Sequence, residues 1–191
     1  MTEAYRAARD AIDTAHAADP QQIDGRPAEL IYADAVEGWL VRLVPEADPV
    51  LRLAARAQHL QRWSLPRSDY PMDRAGYHQW RTEQYRRQGA LARRLCEEAG
   101  VTGPDAQRIE ALVAKKRLAQ PDGQALEDAA CLVFLSSELA GFAAGHPDYT
   151  PEKYIGILRK TMRKMSPSGL QAAFALDLPE PFAGLVRAAA S

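Results

Sequence analysis

The chain has 191 residues, 47% of them hydrophobic and 26% charged, with a formal net charge of -1; that suits one ordinary domain with its own core and is short for two. Alanine is the commonest residue, accompanied by many Leu, Arg and Glu, while Val, Ile, Thr and aromatics are sparse, a helix-forming composition that argues against a sheet-based fold. Near-neutral charge excludes a generic nucleic-acid coat, and no stretch approaches the roughly 18 uninterrupted apolar residues of a membrane span. The expectation is an all-α, single-domain helical bundle over residues 1–191. The amphipathic N-terminus MTEAYRAARDAIDTAH lacks the apolar core of a signal peptide and points to the cytoplasm. Cys96 and Cys131 sit in helical patterns without metal-ligand spacing and read as buried, reduced thiols.

In chain order, a first helix is predicted from Glu3 to Ala18, stopping before Asp19-Pro20. Pro27 opens a second, with Ile31, Ala35, Trp39 and Leu43 on one face. Asp48-Pro49 starts a third, VLRLAARAQHLQRW, continuing to Trp63. The two prolines of SLPRSDYPMD then force a loop, and Asp73 is the expected N-cap of a long helix that Gly100 ends in left-handed conformation. Thr102, Pro104 and Asp105 mark a further start, and AQPDG reads as a turn. The apolar ALEDAACLVFLSSELAGFAAG is the expected central helix. Thr150-Pro151 and Ser166-Pro167 begin the last helices. His16 and His146 fall at helix C-termini, where a cation is favoured.

The small net charge hides an asymmetry: the segment from Arg52 to Arg94 carries +7 and the remainder -8. Residues 56–81 gather Arg62, Trp63, Arg67, Tyr70, Tyr77 and Arg81 around a proline-braced loop. Arg forks hold phosphate or carboxylate, and aromatic faces stack on a base or guanidinium, so these six are the candidate substrate-binding residues. The alternative is an Arg-aromatic corner that fastens the loop to the helices. Glu127 and Asp128 precede an apolar run and are either drawn into the bundle or favoured by the helix dipole.

AARAQHLQRW resembles the helix that carries the His-Asp pair of the metal-dependent phosphohydrolases called HD domains. Gln58-His59 stands in its place, Tyr32 lies 27 residues earlier and Asp128 lies 69 later. The likeness implies an HD-domain-like bundle, while Gln and Tyr are poor replacements for the usual ligands. His59 and Asp128 are the candidate holders of one divalent ion, with Glu127 or His78 in support; otherwise they form a metal-free hydrogen-bonded pair.

More broadly, QHLQRW (58–63), PRSDYPMDRAGYHQWR (66–81), LEDAACLVFL (126–135) and ILRKTMRKMS (157–166) resemble a family of bacterial and fungal proteins known as domain of unknown function 4202. The resemblance runs from about Asp10 to Met165 and implies no established activity. Some fungal relatives carry the label glutamyl-tRNA synthetase, and Lys164-Met165-Ser166-Pro167-Ser168 is similar to the KMSKS loop of those enzymes. No HIGH motif and no alternation of strands with helices accompanies it, so KMSPS reads as a helix end followed by a Ser-Pro helix start.

The expected function is an HD-like hydrolase or lyase acting on a phosphorylated or nucleotide-like small molecule. His59, Asp128 and Glu127 are its candidate catalytic groups. The alternative is a non-catalytic module that binds RNA, a nucleotide or an acidic protein through residues 56–81.

Overall fold

The computed structural model describes residues 2–190. It is mostly helical, with ten α-helices and a two-stranded hairpin among the described residues: α1 Glu3–Ala17, β1 Gln22–Ile23, β2 Arg26–Pro27, α2 Ala28–Leu43, α3 Pro49–Arg56, α4 Arg74–Glu98, α5 Gly103–Val113, α6 Pro121–Val133, α7 Leu139–Ala144, α8 Pro151–Met162, α9 Pro167–Phe174 and α10 Phe182–Ala190. Short 3₁₀ turns occupy Arg62–Ser64 and Arg67–Asp69, and a π-helical stretch, Phe134–Glu138, joins α6 to α7. No described helix is long and apolar enough to cross a membrane.

Local chemistry explains four of the helix starts. Asp48 accepts from Leu51 N, Asp73 from Gly76 N, Thr150 from Lys153 N and Ser166 from Gly169 N; Pro follows Asp48, Thr150 and Ser166 at the first helical position. Gly100 has φ +91° just beyond α4. The residues Asp24 and Gly25, at φ +50° and +76°, close the antiparallel hairpin in which Gln22 pairs with Pro27 and Ile23 with Arg26.

Several boundaries differ from the sequence pattern. Pro27 ends the hairpin instead of opening α2, and PDG of the expected AQPDG turn forms the first turn of α6. The expected stripe of α2, Ile31, Ala35 and Trp39, is only half-buried, whereas Tyr32, Val36 and Leu40 are buried. The reason is that α2 lies between two cores. Its Val36 and Leu40 pack with Ile12, Leu51, Ile109 and Leu126 in the first; Trp39 and Leu43 lean on the second, built from Leu132, Leu135, Leu139, Leu158 and Met162. Asp105, in the first turn of α5, accepts a hydrogen bond from Tyr5 Oη, and Thr102 makes no side-chain cap.

The largest departure concerns α3. It stops at Arg56, and His59 and Gln61 adopt left-handed backbone at φ +60° and +51°. Neither is glycine, so both are strained positions held by their surroundings. The freed carbonyls are taken by α4: Gln84 Nε2 donates to Arg62 O (2.8 Å) and Leu65 O (3.1 Å), and Trp80 Nε1 donates to Leu65 O (2.9 Å).

Candidate functional site

A cavity of about 660 Å³ opens between the two cores, within the size range of small-molecule sites. Its wall comes from the hairpin, the start of α2, the turn after α3, one face of α4, Lys115 beyond α5, α6 with its π-helical extension, and α8.

At one end, the chain folds so that Glu29, His59 and Arg62 meet. Asp19, itself buried, accepts from Gln21 N and Glu29 N (both 2.9 Å), which fixes the first turn of α2 and with it Glu29. His59 stacks on Tyr32, with centroids 4.0 Å apart and rings 8° from parallel. Arg62 Nη1 lies 2.9 Å from His59 Nε2. A guanidinium has no acceptor, so Nε2 must be the accepting nitrogen and the imidazole proton sits on Nδ1, which faces Glu29 Oε2 at 3.5 Å. The ring is therefore neutral, and burial followed by Arg62 holds its pKa well below the usual histidine value. Burial pushes the Glu29 carboxyl up to about 7, against the pull of Arg62. Arg62 also covers the Trp80 ring at 5.1 Å. Glu138, at the exposed rim, is raised by desolvation, opposed by Arg62 and aided by Glu29. The π-helical turn brings Phe134 and Glu138 to this wall.

The other end is basic. Lys115, in left-handed backbone at φ +58°, points a nearly buried ammonium at Glu127 Oε2 (3.4 Å), and Lys164 reaches Glu127 Oε1 (3.6 Å) from the rim. Burial lowers the Lys115 pKa, with Glu127 opposing. Burial alone would raise Glu127, but Lys115 and Lys164 outweigh it and hold the carboxyl below its ordinary range. Arg81 donates to Tyr85 Oη and also acts on Glu127.

Five of the residues singled out in the sequence, His59, Arg62, Tyr77, Arg81 and Glu127, thus line one cavity. The others lie elsewhere. Asp128 is buried and accepts from Ser166 N (2.8 Å), Ser166 Oγ and Gln124 Nε2 (3.0 Å), anchoring the start of α9. A Cβ on Gly169 would lie 2.6 Å from its carboxyl carbon, so the glycine makes room for it. Arg67 donates to the carbonyls of Tyr70, Pro71 and Asp73 and braces its own loop. Trp63 and Tyr70 are half-buried outside the cavity wall. His78 is exposed beside Tyr77.

The expected His59–Asp128 pair does not form, because the ring nitrogens of His59 face Arg62 and Glu29 while the oxygens of Asp128 face Ser166 and Gln124. A divalent ion does not fit this donor set. The nitrogen it would take already accepts from a cation, and no three or more His, Cys, Asp or Glu residues gather around a common point among the described residues. His16 lies in the last turn of α1, as its sequence position implies, but is not held there as a cation. It is fully buried, its Nε2 is 2.9 Å from Arg56 O, and burial lowers its pKa.

Sequence reasoning missed Glu29, Lys115 and Glu138, and met Tyr32 and Lys164 only in other contexts. Glu29 looks like an ordinary first-turn acid, and Lys115 like one of a solvated pair. Lys164 lay inside KMSPS, Glu138 inside the expected central helix and Tyr32 at an HD-like spacing, but none of these readings pointed to the cavity.

The family comparison agrees with the motifs that surround this cavity. The model of the domain of unknown function DUF4202 matches residues 6–186. The chain belongs to the DUF4202 family. Within this DUF4202 chain the matched span contains the whole cavity wall, from Gln21 to Lys164. No curated protein and no solved structure matches the chain.

Proposed function

We propose that the cavity binds a phosphorylated or nucleotide-like small molecule and acts on it as a hydrolase or lyase. The observation that carries the reading is the cluster of Arg62, His59 and Glu29 in the wall of a cavity that is also lined by Arg81, Lys115 and Lys164. Arg62 fixes the tautomer of His59, stacking on Tyr32 fixes the ring, and the Nδ1 proton is presented to Glu29. With a pKa of about 7, Glu29 is populated in both protonation states near neutrality, which suits a general acid or base. His59 is a positioning residue for Glu29. Arg81, Lys115 and Lys164 bind the anion, and Tyr77 with Phe134 packs on the organic part.

The likeness to HD domains enters this reading as a helical bundle with a His beyond its third helix, without the metal-ligand set. A reducing, cytoplasmic setting accords with Cys96 and Cys131, both free and buried, whose thiols burial pushes up to about 11 and about 12. RNA or an acidic protein is a weaker occupant than a small molecule, because four of the outer Arg side chains of α4 are already paired. Arg86 and Arg87 bind Glu83, Arg93 binds Glu97 and Glu110, and Arg94 binds Glu98.

A screen of phosphomonoesters and nucleotides, read by turnover and by ligand-induced melting shift, tests the proposal. Turnover that falls by about 100-fold or more in Glu29→Gln while the melting shift persists is the expected result. Melting shifts with no turnover of any compound would make the protein a non-catalytic binding module, and no shift at all would remove the anion site.

A further inference from the structure

The two ends of the cavity differ in charge in a way that specifies more about the ligand than its size does. At the basic end three cations, Arg81, Lys115 and Lys164, surround one carboxylate, Glu127, leaving an excess of two positive charges. Three different elements supply them: α4, the turn after α5 and the residues beyond α8. A single ion pair would need only one of these cations. A phosphate dianion matches the remainder in charge and supplies the acceptor oxygens that Arg and Lys donors use.

At the other end the balance reverses. Glu29 and Glu138 stand with one guanidinium, Arg62, and with a His59 ring that is neutral because it accepts from that guanidinium. When both carboxylates are ionised this end carries one uncompensated negative charge in a partly desolvated wall. Glu29 lines the cavity, and His59 Nδ1 approaches its Oε2 only to 3.5 Å, so the carboxylate keeps acceptor capacity to offer a ligand. A ligand group that donates hydrogen bonds and carries one positive charge satisfies both requirements.

We infer that the ligand is a phosphorylated amine: a phosphomonoester seated on Arg81, Lys115 and Lys164, with an ammonium group at its far end held by Glu29 and Glu138. This rests on the anion-site reading above and deepens it. A nucleotide, whose far end is an uncharged base, meets the basic end equally well and can donate hydrogen bonds at the acidic end, but leaves its negative charge uncompensated. A simple sugar phosphate does the same.

Binding of matched pairs to the full chain tests it by calorimetry: glucosamine 6-phosphate against glucose 6-phosphate, and phosphoethanolamine against inorganic phosphate, with guanosine monophosphate as the nucleotide. The amine of each pair is expected to bind about tenfold or more tightly than its partner. In Glu138→Gln that preference should fall to about twofold or less while inorganic phosphate binds as before. Lys164→Met should weaken all five compounds, leaving the preference intact. Both variants change side chains at the rim, and a melting curve establishes that each is folded. Equal binding of amine and non-amine partners, or tighter binding of the nucleotide, overturns the phosphorylated-amine assignment while leaving the anion site standing. Failure of all five compounds to bind overturns the anion site itself, and the present inference with it.

Discussion

Glu29 shows how a single side chain couples stability to chemistry. Its folded-state pKa of about 7 lies above the ordinary glutamate value, so the folded protein holds this proton more tightly than the unfolded chain does. The stabilisation from that proton is complete below pH about 4.5 and is lost as pH rises through about 7, an effect on the order of 3 kcal/mol. Glu29→Gln keeps a neutral side chain at all pH values. It is expected to flatten this part of the profile and to be more stable than the natural protein at pH 8, as measured by urea unfolding across pH 5–8. His16 and His59 contribute the opposite slope, since burial lowers both and their stabilisation is lost as pH falls. Both rings interact with Glu29 and shift with it, so the comparison of variant with parent is read at pH 8, where both histidines are neutral in the folded and unfolded chain. Asp128 is the contrasting case, a residue chosen from sequence for chemistry and engaged in structure. Asp128→Ala should cost about 2–3 kcal/mol by leaving the Ser166 N–H and hydroxyl without their acceptor and Gln124 with Lys164 O alone. Asp128→Asn retains one acceptor oxygen and should cost about 1 kcal/mol or less, and neither should alter ligand binding in the cavity if the melting shift is followed.

Among the elements, α3 and α4 divide the Arg-rich segment between architecture and site. The sequence pattern carries α3 on to Trp63 because Leu51, Ala54 and Gln58 keep helical spacing. Periodicity records apolar positions and is blind to carbonyls that a different helix will satisfy. Trp80 and Gln84 of α4 accept the task of pairing Arg62 O and Leu65 O, which allows the chain to leave the helix and turn His59 and Arg62 toward the cavity. The capping residues Asp48, Asp73, Thr150 and Ser166 were legible because a cap needs only its neighbours three residues on. Gly76 was not: a Cβ there would lie 2.1 Å from Pro71 O, a contact created by the fold of the preceding loop. Gly76→Ala is therefore expected to destabilise the start of α4 by roughly 1–3 kcal/mol, seen as faster hydrogen exchange in residues 66–80 before the rest of the helix.

Across the whole molecule, the charge asymmetry of the sequence resolves into a buried ionic hub and a cavity. Arg56, only 4% exposed, binds Asp13 of α1 together with Asp34 and Glu37 of α2, while Arg9 and Arg52 also reach Glu37. Three helices thus converge on one guanidinium, and its backbone carbonyl receives His16. Burial would raise the Glu37 and Asp34 carboxyls, but their arginine partners outweigh it and lower both. Arg56→Ala should cost about 2–4 kcal/mol at neutral pH, because it empties a buried position and leaves three acids with one cation fewer, although Glu37 keeps Arg9 and Arg52 and Asp34 keeps Arg26. Both carboxyls are lowered on folding, so the stability they contribute is present above their ordinary range and disappears as pH falls. The cost of the variant should accordingly shrink below about pH 4, measurable by denaturant unfolding at pH 7 and pH 3.5.

By itself the sequence determined that the chain is helical, where most of the helices begin, that both thiols are buried, and that the region around residues 56–81 differs in charge from the rest. These are properties of composition, of spacing and of contacts a few residues apart. Tertiary structure alone decided which charges meet. Glu29, Arg62, Lys115, Glu127 and Lys164 come from five separated segments, and no local pattern distinguishes an Arg that braces a loop, like Arg67, from one that faces a cavity, like Arg62. An ionic partner is chosen by distance in space, and burial sets how strongly the partner is felt; both are fixed only when the two cores have closed around the space between them.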